Sequence, residues 1–196
     1  MKRRRLGLFF GILMAFSACS MGQTETSGTG ESSQEAVQTF QVVVPASLLR
    51  FTGSTAQELV DSAGESCTSA FVQGEDAVLE LTEAQREDLL QENAEFIQEC
   101  KDEFLQENAA YGCEINEEET QIVLHYDETI DQNRQAKTLL GLSSMCGFNQ
   151  VLRSQSSQWS VHLEVINCHT GKVVAAGDLP QDSITFGDEE WQASYQ

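Results

Sequence analysis

The sequence predicts an α+β fold: a two-layer domain with a mainly antiparallel sheet and about three helices packed on one face. Three observations predict it. Two stretches alternate apolar and polar residues at period two, "TQIVLHY" (120–126) and "QWSVHLEVIN" (158–167). One long segment, "TEAQREDLLQENAEFIQECKDEFLQEN" (82–108), repeats its apolar residues at helical spacing. Glycine-bearing turns separate short β-branched runs. Alternation marks strands with one covered face, and a helical stripe supplies the cover.

Each element follows in order. "TFQVVVPASLL" (39–49) opens with a β-branched strand that Pro45 ends. "GSTAQELVDSAGES" (53–66) reads as a short helix. Thr55 and Glu58 form a capping box, and Leu59, Val60 and Ala63 share a face. "CTSAFVQGEDAVLELT" (67–82) reads as two short strands around Gly74-Glu75-Asp76. The long helix then opens on a second capping box, Thr82 with Gln85. It buries Leu89, Leu90, Phe96, Ile97, Cys100 and Phe104, and Gly112 marks its end.

"GCEINEEETQIVLHYDE" (112–128) gives two strands around an acidic turn, with Ile122, Leu124 and Tyr126 on one face and Gln121, Val123 and His125 on the other. A third helical segment spans about 129–153 through Ile130, Leu139, Leu140, Leu142, Phe148, Val151 and Leu152, and Gly141 and Gly147 weaken its continuity. A hairpin closes the domain. Trp159, Val161, Leu163 and Val165 oppose Ser160, His162 and Glu164, "CHTG" (168–171) turns, and "KVVAAGDL" (172–179) returns. The tail (181–196) either packs through Phe186 and Trp191 or stays loose.

The start of the chain carries a different signal. "MKRRR" is a basic head, and residues 6–18, "LGLFFGILMAFSA", are apolar or small throughout. This pattern is a secretory signal peptide over 1–18, too short for a spanning helix of ~20 residues. Phe16-Ser17-Ala18-Cys19 resembles the lipobox of bacterial lipoproteins, with Phe16 in place of the usual aliphatic residue. That resemblance implies a diacylglyceryl group on the Cys19 sulfur and cleavage before it, so that Cys19 becomes the first mature residue. Two acyl chains on one residue give stable anchoring, where one gives only marginal binding. The other reading is a secreted protein cut nearby. Residues 19–38 then form the lipidated cysteine and a polar tether. Rich in Ser, Gly, Thr, Glu and Gln, the tether has too little apolar surface to order itself. Residues 39–196 form a single acidic domain, long enough for one sound core.

Of the 11 Lys and Arg, four lie in the signal segment. The remaining seven against 31 Asp and Glu leave the mature chain at −24. Such an excess argues against nucleic acid and against direct binding to an anionic membrane surface, which both need clustered basic residues. It keeps a domain soluble outside the cell, and it leaves cationic partners open.

Setting Cys19 aside leaves Cys67, Cys100, Cys113, Cys146 and Cys168, an odd set without a C-x-x-C pair. These are buried thiols, or at least one disulfide joins two of them, with no pairing singled out. His125, His162 and His169 have no zinc spacing. Cys168 and His169 are adjacent, and adjacent residues on an extended chain point apart. They read as surface histidines, and no metal or cofactor is assigned. The acid runs "NEEET" (116–120) and "FGDEE" (186–190) lack the alternate ligand spacing of a calcium loop and read as solvated turns. There is no G-x-S-x-G, P-loop or H-E-x-x-H. No catalytic residue is assigned, though Cys146 within "GLSSMCG" (141–147) and Cys67 are the candidates if a thiol acts.

The order of lipobox, tether, "VVVPASLL", "LELTEAQREDLLQE", acidic turn and strand, "LLGLSSMCG" and "VHLEVINCHTGKVV" resembles a family of small, uncharacterised predicted lipoproteins of Gram-positive anaerobes. The likeness covers most of 40–180, and "VPASLL" and "LTEAQREDLL" are its most specific pieces. It implies an extracytoplasmic lipoprotein of α+β fold and brings no catalytic residues. The expectation is therefore a non-enzymatic binding or scaffolding module on the outer face of the cell membrane. It is held there by the lipid on Cys19 and engages an envelope protein partner. A small-ligand or cation-binding lipoprotein is the second reading, and a thiol-dependent envelope enzyme the third.

Overall fold

The first strand, β1 (Thr39–Val44), pairs antiparallel with β3 (Asp76–Thr82), and β2 (Ser69–Gln73) pairs on the other edge of β3. This is the computed structural model of the chain, and it describes residues 38–196; the signal segment, Cys19 and nearly all of the tether lie outside the described residues. Thr39–Gln196 forms one unit. Ala77, Val78, Leu79 and Leu81 of β3 are all buried. Successive strand residues face opposite sides, so both faces of β3 are covered.

A second sheet follows, in the order β4 (Gly112–Ile115), β5 (Gln121–Tyr126), β6 (Val161–Asn167) and β7 (Val173–Leu179). Its outer pairs are antiparallel, but β5 and β6 run parallel, from Gln121 opposite His162 to Tyr126 opposite Asn167. A parallel pair needs a long crossover. Helix α4 (Gln132–Ser154) provides it.

The other helices are α1 (Ala46–Phe51), α2 (Ala56–Ala63), α3 (Glu83–Leu105) and α5 (Asp188–Ser194). The α+β class thus stands, but the expectation of one sheet with about three helices on one face is met only roughly. There are two sheets and five α-helices among the described residues. Both expected capping boxes form. Thr55 Oγ1 accepts from Glu58 N–H at 3.2 Å and Thr82 Oγ1 from Gln85 N–H at 3.2 Å, while each partner's side chain returns to the cap N–H. Helix α1 was not expected after Pro45. Its start is held from a distance, because Ala46 N–H donates to Asp76 Oδ1 at 2.7 Å.

Helix α4 is the centre of the fold. It touches β1, β6, α1 and α3, and Gly141 through Asn149 is buried without a break. Its two glycines do not interrupt it, because they are where neighbours come close. A Cβ on Gly141 would lie 3.4 Å from the Phe96 ring and 3.5 Å from Cys100 Sγ, and one on Gly147 would lie 2.6 Å from the Trp159 ring. The tail is ordered. Trp191 of α5 is buried against Tyr126 (ring centroids 5.4 Å) and Phe186 (6.3 Å).

Candidate functional site

Strands β5 and β6 end side by side. Cys168 N–H donates to Tyr126 C=O at 2.9 Å, one step past the last paired residues. Asp127 therefore leaves the end of β5 next to the turn that follows β6. That turn is tight: Gly171 N–H reaches Asn167 C=O at 2.9 Å, Gly171 takes φ +71°, and His169 N–H donates to Asn167 Oδ1 at 2.9 Å. Asn167 is fixed in turn by donating to Ser194 Oγ of α5 at 2.7 Å.

The bend reverses one expectation. On an extended chain Cys168 and His169 would diverge. Here the chain is turning, and both side chains converge on Asp127. His169 Nε2 lies 2.9 Å from Asp127 Oδ2, and Cys168 Sγ lies 4.0 Å from the same oxygen. One donor atom from each of the three residues falls within 4.8 Å of the others.

The other carboxylate oxygen is occupied. Asp127 Oδ1 accepts from Thr129 N–H (3.0 Å), Thr129 Oγ1 (2.5 Å) and Tyr111 Oη (3.2 Å). Burial pushes the Asp127 pKa up, but the bonds from Thr129, His169 and Tyr111 outweigh it and hold the carboxyl below its usual range. Burial, then the Asp127 charge, push the Cys168 thiol up. Tyr195 stacks on the His169 ring at 6.4 Å and donates to Glu128, which pushes the phenol up to about 12. The cluster thus presents one carboxylate oxygen, one imidazole nitrogen and one thiol sulfur at the carboxyl ends of two parallel strands.

The remaining candidates fall elsewhere. His162 is an exposed cross-strand partner of Asp178, with Nδ1 2.8 Å from Oδ1. His125 is half-buried on the polar side of β5, beside Gly112. Cys67, Cys100 and Cys146 are buried and Cys113 half-buried, and all five cysteines among the described residues are free thiols. Burial holds Cys100 and Cys113 near about 11 and Cys146 near about 12. Such thiols carry almost no thiolate at neutral pH, so Cys146 is a poor nucleophile where it sits.

Both acid runs are structural. In 116–120 the Asn116 Oδ1 accepts from Thr120 and Gln121 N–H, each at 2.8 Å, and closes the turn. Glu119, at φ +56°, points inward. It accepts from Asn149 Nδ2 at 2.8 Å and pairs with Arg153 at 3.0 Å, while Asn149 Oδ1 accepts from buried Asn93 of α3 at 2.8 Å. In 186–190 the acids form the first turn of α5, and Glu190 caps Gly187 N–H at 2.8 Å.

Sequence reasoning overlooks Asp127. Its signal is slight, an acid directly after the apolar end of a strand, and its partners lie 41 and 42 residues on. No family model, curated protein or solved structure matches this chain.

Proposed function

We propose that the protein is a lipid-anchored extracytoplasmic lipoprotein whose folded part is a non-enzymatic binding or scaffolding module of the cell envelope. The order of the chain carries this reading. A basic head and 13 apolar or small residues precede Cys19, a polar stretch follows, and a compact unit begins at Thr39. On this reading residues 20–38 serve as a flexible polar tether of typical reach ~25 Å. That length holds an acidic domain off the membrane while leaving it free to meet a partner. The depth of Cys146 and Cys67 in the fold weighs against a thiol-dependent enzyme built on either.

The test is lipid labelling. In cells grown with a labelled fatty acid, the wild-type chain takes up label and sediments with membranes. Cys19→Ala removes both properties. A wild-type chain that is unlabelled, or a Cys19→Ala chain that is still labelled, overturns the reading. A second reading, a cation-binding lipoprotein, is favoured by the convergence of Asp127, Cys168 and His169.

A further inference from the structure

We infer that Asp127, Cys168 and His169 form a site for a borderline transition metal of the Zn2+ class, with one exchangeable position left facing solvent. The inference deepens the cation-binding reading and does not depend on Cys19.

The donor set selects the metal. A thiolate with an imidazole disfavours the hard cations Mg2+ and Ca2+, which take oxygen ligands, and suits zinc-like ions. Three protein ligands with a fourth position open is the arrangement of exchangeable zinc sites, whereas purely structural sites close all four. The two negative ligands balance the charge of one divalent ion.

The geometry is close. Bonds of about 2.0–2.3 Å at tetrahedral angles set ligand atoms about 3.3–3.5 Å apart. The observed 2.9 Å (His169 to Asp127) and 4.0 Å (Cys168 to Asp127) bracket that spacing. Each of these two separations must change by roughly half an ångström to meet it, and the Cys168 and His169 donor atoms, within 4.8 Å of each other, must reach it too. The mobile partner is His169, whose side chain is 51% exposed, while Asp127 is 6% exposed and fixed.

The surroundings are built for it. Three donors hold Asp127 Oδ1, so Oδ2 alone faces the two other ligands. Asn167 pins the turn that carries them, and Ser194 pins Asn167. Outer partners of this kind orient metal ligands. A His–Asp pair alone would close the turn without Cys168. At 4.0 Å the thiol is at best a weak donor to the carboxylate, a task a hydroxyl performs better. Its sulfur is better suited to a metal.

Binding releases the Cys168 thiol proton to solvent, while His169 offers its Nε2 lone pair to the metal with the ring proton on Nδ1.

The test uses the full chain carrying Cys19→Ala, purified in detergent, stripped with chelator and titrated with Co2+ alone, then with Zn2+. The expected result is one equivalent of Co2+ bound with a thiolate-to-cobalt charge-transfer band in the near ultraviolet, which Zn2+ erases. Cys168→Ser abolishes the band while the circular dichroism and urea midpoint stay at the parent values. His169→Ala weakens binding by more than the ~10–100-fold expected from losing an outer partner. A folded chain without the band overturns the proposal. So does a band that survives Cys168→Ser, or Co2+ uptake indifferent to both substitutions, which would place the ion on the acidic surface. Failure of lipid labelling leaves these readouts untouched.

Discussion

Gly147 of α4 lies directly against the indole of Trp159, so close that a Cβ at that position would stand 2.6 Å from ring atom Cε3 and 3.0 Å from Cδ2. The indole cannot easily retreat. Its Nε1 donates to Ser47 Oγ at 3.1 Å, and its ring packs on Phe51 at 5.7 Å. Two effects of Gly147→Ala therefore compete. Helix propensity favours alanine by about 1 kcal/mol, while overpacking a core costs about 1–3 kcal/mol. At 2.6 Å the clash wins, and urea melts will show a net loss of about 1–2 kcal/mol. Gly141→Ala is the control. Its nearest neighbours, Phe96 and Cys100, stand at ordinary contact distance, so it is neutral or stabilising by up to about 1 kcal/mol. Equal losses at both glycines would refute the steric account.

Asn149 joins α3 to the acidic turn through Asn93 and Glu119. Asn149→Ala leaves buried Asn93 Nδ2 without its acceptor, at about 1–3 kcal/mol, while Glu119 keeps Arg153. Asn93→Ala strands only Asn149 Oδ1. The double variant costs less than the sum of the two, by about 1 kcal/mol in a denaturation cycle, since the shared bond is counted once. Strict additivity would show that the two amides do not couple.

Trp191 seats the tail against Tyr126. Trp191→Ala costs about 3–5 kcal/mol, as expected for a large buried aromatic, and releases Ser194 from Asn167. Chemical denaturation measures the loss, and limited proteolysis then cuts after residue 180. A tail that is merely loose would give a change below about 0.5 kcal/mol.

The Cys146 thiol ionises near 9.0 in an unfolded chain and near about 12 in the fold, because burial disfavours its charge. Between those values the unfolded state has lost a proton that the native state keeps. Stability therefore falls as pH rises through this window, by about 1.4 kcal/mol per pH unit for such a group. Cys100 and Cys113, held near about 11, act in the same direction. Urea melts stepped from neutral pH to about 11 will show the decline. Cys146→Val makes it shallower, and an unchanged slope in that variant would remove Cys146 from the explanation.

What can be read from the sequence is what neighbouring residues decide. Thr55 with Glu58 and Thr82 with Gln85 are three apart, and both boxes form. The alternation in 121–126 and 161–165 puts Ile122, Leu124, Val161 and Val165 in the core as expected. What is missed depends on distant partners. The start of α1 is held by Asp76, thirty residues on. The parallel pairing of β5 with β6 follows from α4 packing between them in sequence, which period alone cannot convey. The second sheet arises because the β2–β3 hairpin takes β1 as its third strand. The Asp127 cluster is hidden for the same reason: Asp127 meets Cys168 and His169 only through strand register, and their convergence requires the turn that Asn167 and Gly171 make.

The position of β1 has a mechanical consequence. It is the first described strand and lies at a sheet edge, joined to β3 by six residue pairs from Thr39–Thr82 to Val44–Ala77. Any tension drawn through the amino-terminal segment enters the fold at Thr39 and is borne by that ladder first. Beyond the ladder the load passes to α4, which packs on β1, before it reaches the second sheet that carries the Asp127 cluster.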